Sequence, residues 1–411
     1  MAYNVTLTNI LEGDLANLSI PAGRKELMHK ISKNFSRVLM NNQQKQSIKL
    51  KAKRFWNIQR LVDDLNMFED TYNIVHLNLT EQVIRSQGIR TLSEFLPRCK
   101  LLTHLNLEMN RIGPRGVNSL ANVLEQCPVL AHLNLNRNDI GPEGAQGLGA
   151  GLRKCPSIAH LEIAYNDIRA VGMERFTAML GDCTSLVHLN LGGNAIGNDG
   201  AGHLGTLLRH CRSLTHLILC SNRIYDEGVN MLTPTLGQFA LLVHLDLREN
   251  FIADEGAGKL AAVLRQCVSL AHLDLHCNEI GVAGVGLLAA VLGRFSCLTH
   301  LNLGFNEFGP EGAAILSERL GQCSVLAHLD LSGNEIGNDG VRRLAAVLHQ
   351  FVSLTHLDLC ANHITDQGVE SLAGELPQCS LLSHLDLSKN KIGDQGMESL
   401  AAMQLRCRVL F

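Results

Sequence analysis

The sequence predicts an α/β solenoid, a horseshoe of twelve 28-residue strand–helix repeats with a parallel β-sheet on its concave face and helices on its convex face. Three observations predict it. A histidine followed by Leu-x-Leu, or by Leu-x-Ile at His160, recurs at His76, His104, His132, His160, His188, His216, His244, His272, His300, His328, His356 and His384, always 28 residues apart. Six residues after each histidine stands an asparagine, from Asn110 to Asn390, with Gln82 alone departing. Twelve after it stands a glycine, from Gly88 to Gly396, and eight after it an isoleucine in eleven copies, Phe308 being the exception. In such an array each unit packs on its neighbours, so the core lengthens without thickening. The 411 residues are therefore read as a periodic part, residues 74–411, preceded by an aperiodic segment, residues 1–73.

That segment is expected to be a helical cap. Leu27, Ile31, Phe35 and Leu39 recur every four residues, the spacing of an amphipathic helix. A second helix is expected from about Ile48 to Phe68, around Trp56, the one tryptophan. Covering the open core of the first repeat is the plain role for such a segment; an adaptor-docking segment, loosely like an F-box, is the alternative. Residues 1–60 carry eleven Lys and Arg against Glu12, Asp14 and Glu26, a net of +8 that leaves −11 for the rest. The basic string from Lys49 to Arg54 is a candidate nuclear-import or polyanion patch, although short basic runs are ordinarily the solvated face of a helix.

Each repeat follows one logic. In LLTHLNL, Leu102, Leu105 and Leu107 are the framework of a short strand centred on His104–Asn106; alternation turns Leu105 inward and His104 and Asn106 outward. Asn110 then turns the chain, its amide placed to bond backbone groups of neighbouring turns that would be costly to bury unpaired. Ile112, Val117, Leu120 and Leu124 follow at helical spacing. The helix opens on Pro114 or, in other copies, on Asp or Asn followed by an acid, as at Asn198, Asp226 and Asp254, residues suited to a first helical turn. Strands stack about 4.8 Å apart and helices about 10 Å apart, so each unit is a wedge and the array curves. The last unit departs: the helix leucine is replaced by Gln404, which reads either as a self-capping end or as a chain whose Leu410 and Phe411 begin a further strand.

Nine of thirteen cysteines (Cys99, Cys127, Cys155, Cys183, Cys211, Cys267, Cys323, Cys379, Cys407) share one repeat position, filled elsewhere by Phe239, Phe295 and Phe351. Exchange with phenylalanine marks an apolar core site of free thiols, which predicts a reducing compartment. Cys220, Cys277 and Cys360 fall at strand ends and are expected to be accessible. With no apolar run near the ~20 residues that span a bilayer and no secretory signal pattern at the N-terminus, the chain is expected to be cytoplasmic, with nuclear import through Lys49–Arg54 as a variant.

The 28-residue period, the HLxLxxNxIGxxG block and the LAxxLxxC helix resemble ribonuclease-inhibitor-type leucine-rich repeats, over residues 74–407. Similar arrays occur in the C-terminal halves of NOD-like receptors and in Ran GTPase-activating proteins. The resemblance implies the fold firmly and a function only in kind, since arrays of this sort grip unrelated proteins. No P-loop of the sort that NOD-like receptors carry is present in the sequence.

Enzyme motifs are also missing: no GxxxxGK[ST], HExxH, GxSxG or paired CxxC occurs. No catalytic, cofactor or metal residues are therefore assigned. The array is acidic and lacks a basic, aromatic-studded groove, which disfavours nucleic acid; a membrane or a small molecule is likewise not the expected partner. A protein is. The histidine column is expected to bond the acidic and amide side chains two residues on and so fix the ladder; a pH-responsive face and opportunistic Zn, Ni or Cu uptake are the functional alternatives.

Positions identical in every copy serve the shared scaffold, whereas those four, five and seven residues after the histidine vary. There stand Arg137, Tyr165, Arg223, Arg248, Glu249, Phe251, His276, Phe305 and Glu307, the candidate partner-binding residues; Tyr, Phe and Arg are the usual interface anchors. Gly192-Gly193 and Ser332-Gly333 are expected to be bare stretches open to close approach. The expected function is a non-enzymatic protein-interaction scaffold. Regulation of a small GTPase in the manner of the Ran activators, separable by a GTP-turnover assay, and a structural subunit of a larger assembly are the alternatives.

Overall fold

The computed structural model describes residues 48–51, 62, 74–181, 184–402 and 407–410. They fall into two units, the first Met1–Asp167 with Ala178–Ser185, the second Ile168–Thr177 with Leu186–Phe411. In the first, β1 (Ile48–Lys51), β2 (Ile74–Asn78), β3 (His104–Asn106), β4 (His132–Asn134) and β5 (His160–Glu162) pair parallel in chain order. In the second the same holds for β6 (His188–Asn190), β7 (His216–Ile218), β8 (His244–Asp246), β9 (His272–Asp274), β10 (His300–Asn302), β11 (His328–Asp330), β12 (His356–Asp358), β13 (His384–Asp386) and β14 (Arg408–Leu410). Within each unit histidine stands opposite histidine in the paired repeat strands, as the unbroken period requires. Twelve α-helices of 8–12 residues follow the strands among the described residues, the solenoid order of elements.

One repeat shows how the core forms. Leu105 and Leu107 from the strand, Ile112 from the turn, Val117 and Leu120 from the helix Gly113–Ala121, Leu124 from the 3₁₀ turn Leu124–Gln126 and Leu130 from the return are all buried. Each such burial is worth about 1.5–3 kcal/mol, and neighbouring repeats supply the same layer again. Strands of three residues suffice because this core, rather than a long ladder, holds them.

The repeated asparagine does what its position suggested. Asn110 is fully buried. Its Oδ1 accepts the backbone N–H of Gln82 at 2.9 Å, and its Nδ2 donates to the carbonyls of Leu79 and Leu107, each at 2.8 Å. The repeated glycine has a steric cause: a Cβ on Gly116 would lie 2.5 Å from Ile112 Cγ2 and 3.0 Å from Ser86 Cα, so the helix start could not approach the preceding repeat. The buried cysteines donate weakly to carbonyls one repeat back, Cys267 Sγ to Leu236 and Cys323 Sγ to Leu292, each at 3.5 Å.

Two kinds of turn lead into the helices, and the residue ten after the histidine of the preceding repeat decides between them. After Ser86, Pro114, Pro142, Ala170, Val282 and Pro310, the residue nine after the next histidine is left-handed: Gly113, Gly141, Arg169, Gly197, Gly309 and Gly337, with φ from +58° to +67°. After Asn198, Asp226, Asp254 and Asn338 the corresponding residue is extended: Tyr225, Ala253, Gly281 and Thr365. The upstream side chain then accepts its N–H, as Asn198 does from Tyr225 (2.9 Å), Asp226 from Ala253 (2.8 Å) and Asp254 from Gly281 (2.8 Å). The Asp and Asn expected to open their own helices thus also cap the next one, a side chain-to-backbone bond across repeats.

The structure corrects the reading of the N-terminal segment at one place. Residues 48–51 form a strand paired with Ile74–Asn78 rather than the start of a helix; a sheet edge offers backbone partners that local propensity does not foresee. Val62 is helical and buried. The helix through Leu27–Leu39, Trp56 and most of the expected cap, together with Cys183 and Gln404, lie outside the described residues. At the other end Arg408–Leu410 is a strand with Arg408 opposite His384, four residues earlier than the 28-residue period would place it.

Candidate functional site

The open face of the sheet carries two rows of side chains, and the strand-end loops carry a third. The first row is the histidines. In unit 1 the rings from His76 to His160 stack with centroids 3.8–3.9 Å apart. In unit 2 the spacing is 5.3–5.7 Å from His188 to His272 and 4.0–4.3 Å from His272 to His384. Where a hydroxyl precedes the ring its proton can be placed. Thr299 Oγ1 donates to the Ala271 carbonyl (3.1 Å), so His300 Nδ1, 2.8 Å away, is the donor to Oγ1, and Nε2 keeps the lone pair when the ring is neutral. The same pairing recurs at Thr103, Thr215, Thr355 and Ser383. Burial, then the neighbouring imidazoles, push His244 and His300 down to about 4; burial first also lowers His216, His272, His328 and His356.

The second row, two residues on, holds Asp246, Asp274, Asn302, Asp330, Asp358 and Asp386. These side chains were expected to bond the histidines. Each instead accepts its own backbone N–H two residues further along, as Asp246 from Arg248 (3.1 Å) and Asp358 from Cys360 (2.8 Å). The reason is reach: an Asx turn closes locally, whereas the ring next to each histidine is another histidine. Burial raises Asp246 and Asp358 to about 6, with neighbouring carboxylates adding to it. The first row from His244 onward and the second from Asp274 onward, with Leu410, line a cavity of about 470 Å³.

The third row begins five residues after each histidine, and there every residue is left-handed. Met109, Arg137, Tyr165, Ser221, Glu249, Cys277, Phe305 and Lys389 all have φ between +51° and +58°; Gly193 and Gly333 are the two copies with glycine at larger positive φ. For a side chain as large as Tyr or Phe this conformation costs about 1–2 kcal/mol, and the backbone points each of them outward. Arg137 and Tyr165 come together, the guanidinium 4.2 Å from the ring centroid; with Met109, Arg111 and Asp139 they line a cavity of about 370 Å³ in unit 1.

In unit 2 His276 meets Phe305 edge-on at 5.1 Å. Phe305 also covers Gly333, where a Cβ would fall 2.7 Å from its ring, so the Ser332-Gly333 stretch is roofed by an aromatic rather than bare. Arg248 reaches Asp246 at 3.5 Å and Asp274 at 4.0 Å, and Ser221 Oγ donates to Glu249 at 2.5 Å. Arg223 and Glu307 are exposed.

Sequence reasoning missed Tyr225, which is exposed and stacks on Phe251 at 4.8 Å. It lies nine residues after its histidine, outside the columns read for variability, and the available signal was Asn198 one repeat earlier. Cys220 is also corrected: it is buried rather than accessible, because Gly192 in the preceding repeat leaves room for its sulfur, 2.6 Å from where a Cβ would be. Cys277 and Cys360 are partly exposed.

A family profile described as Leucine Rich repeat matches residues 98–121, 126–149, 182–205, 210–232, 240–261, 266–289, 296–317, 322–345, 352–373 and 378–401, together more than half of the chain. The chain belongs to the leucine-rich-repeat family. Members of this family generally serve as protein-interaction scaffolds. Among solved structures, an internalin from Listeria monocytogenes is 19% identical, with 77% of this chain and 82% of that one covered and a TM-score of 0.51, a likeness of fold alone. A leucine-rich-repeat protein from Leptospira interrogans is 18% identical, with 88% and 100% covered and a TM-score of 0.39. No curated protein matches the chain. Among the described residues of this leucine-rich-repeat protein, no helix is long and apolar enough to cross a membrane.

Proposed function

We propose that this leucine-rich-repeat protein is a non-catalytic scaffold of the ribonuclease-inhibitor type, which holds a partner protein against the open strand face and the strand-end loops. The observation that supports this reading is the left-handed loop position. Tyr165 (44% exposed) and Phe305 (43% exposed) stand at φ of +55° and +53°, where glycine would be relaxed and where the fold gains little from a large ring. Aromatic groups held rigidly outward with few rotamers to lose are what an interface anchor needs.

In unit 1 the contact would centre on Arg137 and Tyr165, whose cation–π contact fixes both. In unit 2 it would centre on Phe251, His276 and Phe305, with Arg223, Arg248, Glu249 and Glu307 around them. Arg248 would act less as a free anchor than as the cation that bridges Asp246 and Asp274. The domain division at residue 73, with a preceding cap, and a cytoplasmic site of action belong to the same proposal.

The test is affinity capture from native source with the full chain and its Tyr165→Ala and Phe305→Ala variants, read by quantitative mass spectrometry. A specific partner held by the unaltered chain should fall at least about tenfold for one variant, since a hot-spot aromatic is worth ~2 kcal/mol or more. Recovery unchanged in both variants would remove these loops from the interface.

A further inference from the structure

We propose that the edge of unit 2 at which its strands begin docks on the opposite edge of a second copy of this chain, so that copies stack along the strand direction. Because the strands pair parallel and in register, their first residues lie along one edge and their last along the other. The turns leading into β8, β9, β11, β12 and β13 carry Leu241, Val268, Val325, Val352 and Leu381, which are 37–65% exposed. With exposed Cys297 between Val268 and Val325 they make a row across six consecutive repeats. The fold does not ask for these side chains. Ser213, Ser269 and Ser353 stand in the Leu241 place of their repeats, and Ser296 and Ser324 in the Val268 place. An apolar row that the core does not need marks an interaction surface.

The two edges carry opposite charge. The returns from helix to strand that lead into β7 to β12 hold Arg209, Arg212, Arg265 and Arg294, all exposed, and no Asp or Glu. None of the four is in an ion pair among the described residues. At the opposite edge each repeat from β7 to β11 presents an exposed glutamate: Glu227, Glu249, Glu279, Glu307 and Glu335. The cations of those loops are Arg223 and Arg248, and Arg248 is already tied to Asp246 and Asp274. Acids at helix N-termini complement the helix dipole, which accounts for Glu227 in a first helical turn. The other four glutamates stand ahead of their helices, and no dipole asks for the aliphatic row.

The occupant that fits both rows is a second copy. Arginines and glutamates ride on the same strands, so a copy displaced along the strand direction brings glutamate to arginine at their own repeat-by-repeat pitch and along their own curve. Tyr225 and Phe251, stacked and exposed on the acidic edge, offer apolar contact to the aliphatic row. Exposed ion pairs are individually weak, so the contact depends on their repetition and on the aliphatic side chains between them. One edge meets the other, which makes the interface heterologous: each added copy leaves a fresh edge open, and the stack grows instead of closing. No foreign protein is needed, so the stack stands or falls apart from the partner proposed above.

Sedimentation velocity of the full chain over a wide range of concentration reads the association directly. At low salt the mean mass should climb past that of a dimer, and it should fall back as added salt shortens the reach of the charges. Leu241→Ser/Val268→Ser/Val352→Ser should leave a monomer where the unaltered chain stacks. Its melting temperature should not change, since serine already serves at these places in other repeats. Charge reversal gives the decisive arm. Arg265→Glu/Arg294→Glu makes both edges acidic at β9 and β10, and Glu279→Arg/Glu307→Arg makes both basic there. Like charges facing each other should weaken the association of either variant by about tenfold or more. Mixed in equal amounts the two should associate again, because each supplies the edge that the other lacks. A monomer at every concentration, a mass that stops at the dimer, or variants that stay apart on mixing would overturn the stack. So would a monomer that binds phosphatidylserine vesicles and loses them in the serine variant, which would give the edge to a membrane.

Discussion

Within unit 2, the turns at Tyr225, Ala253 and Gly281 differ from those at Gly309 and Gly337 although all five hang from the same asparagine ladder. The first three are extended and tied by Asn198, Asp226 and Asp254 of the preceding repeat; the other two are left-handed, with their N–H groups donated forward to Asn334 and Asn362 carbonyls. The difference reaches the loop surface. Downstream of an extended turn the residue seven after the histidine donates back to the preceding repeat, Phe251 to Ile224 and Glu307 to Ile280, each at 2.9 Å. Elsewhere that residue is itself left-handed, as at Arg223, Glu335 and His363. One upstream side chain per turn, Asn198 for Phe251 and Asp254 for Glu307, thus sets how a candidate contact residue is presented, with no change in the core beneath it.

The comparison breaks most severely where the two turn types share a support. Asn222→Ala removes an Oδ1 that accepts the Asn194 N–H and an Nδ2 that donates to the Leu191, Leu219 and Cys220 carbonyls. Stranding those groups in the core is expected to cost about 3–5 kcal/mol, and Asn334→Ala should cost the same, both read from urea unfolding. Equal losses would show that the ladder is indifferent to turn type.

A smaller effect tests the switch itself. Gly309 has φ +58° and open space around its Cα, so Gly309→Ala should cost about 1–2 kcal/mol through the backbone alone. Val282→Asp supplies the upstream acid found at Asp226 and Asp254, and should lower that penalty by roughly 1 kcal/mol in the double variant. Strict additivity in the double-mutant cycle would dissociate the turn from the residue upstream.

The smallest effect concerns the two rows on the open face, which oppose each other in acid. His244 and His300, held near 4, contribute stability that is present above the unfolded value of about 6.5 and lost as pH falls toward 4. Asp246 and Asp358, raised to about 6, hold protons in the native state that the unfolded chain releases, so they add stability as pH falls through 6. The native chain should therefore show a shallow melting profile between pH 4 and 6.5. Asp246→Asn/Asp358→Asn removes the compensation, and its melting temperature should climb more steeply with pH over that window. Identical slopes would mean that the two rows do not offset one another.

Most of the fold was legible because a 28-residue period fixes register, and register fixes which side chains meet. The inward leucines, the asparagine ladder and the buried thiols all follow from counting along one repeat. What escaped depends on neighbours one repeat away. Gly192 makes room for Cys220, Asn198 straightens Tyr225, and from Asp246 onward the acids close Asx turns on their own backbone while the histidines beside them stack on one another. Residues 48–51 were read with the helix that was expected to follow, although Ile-Lys-Leu-Lys alternates with the period of a strand. The candidate contact residues were legible as positions; their pairing was not, since Arg137 with Tyr165, and His276 with Phe305, come from different repeats.

The stacked imidazoles carry a further consequence. Each ring that gains a proton raises the electrostatic cost for the ring above and the ring below, so the run from His216 to His356 fills gradually instead of at a single midpoint. Such a row behaves as a graded charge reservoir: a partner whose field varies along its length would find the protonation pattern adjusting to it, ring by ring, without any movement of the backbone.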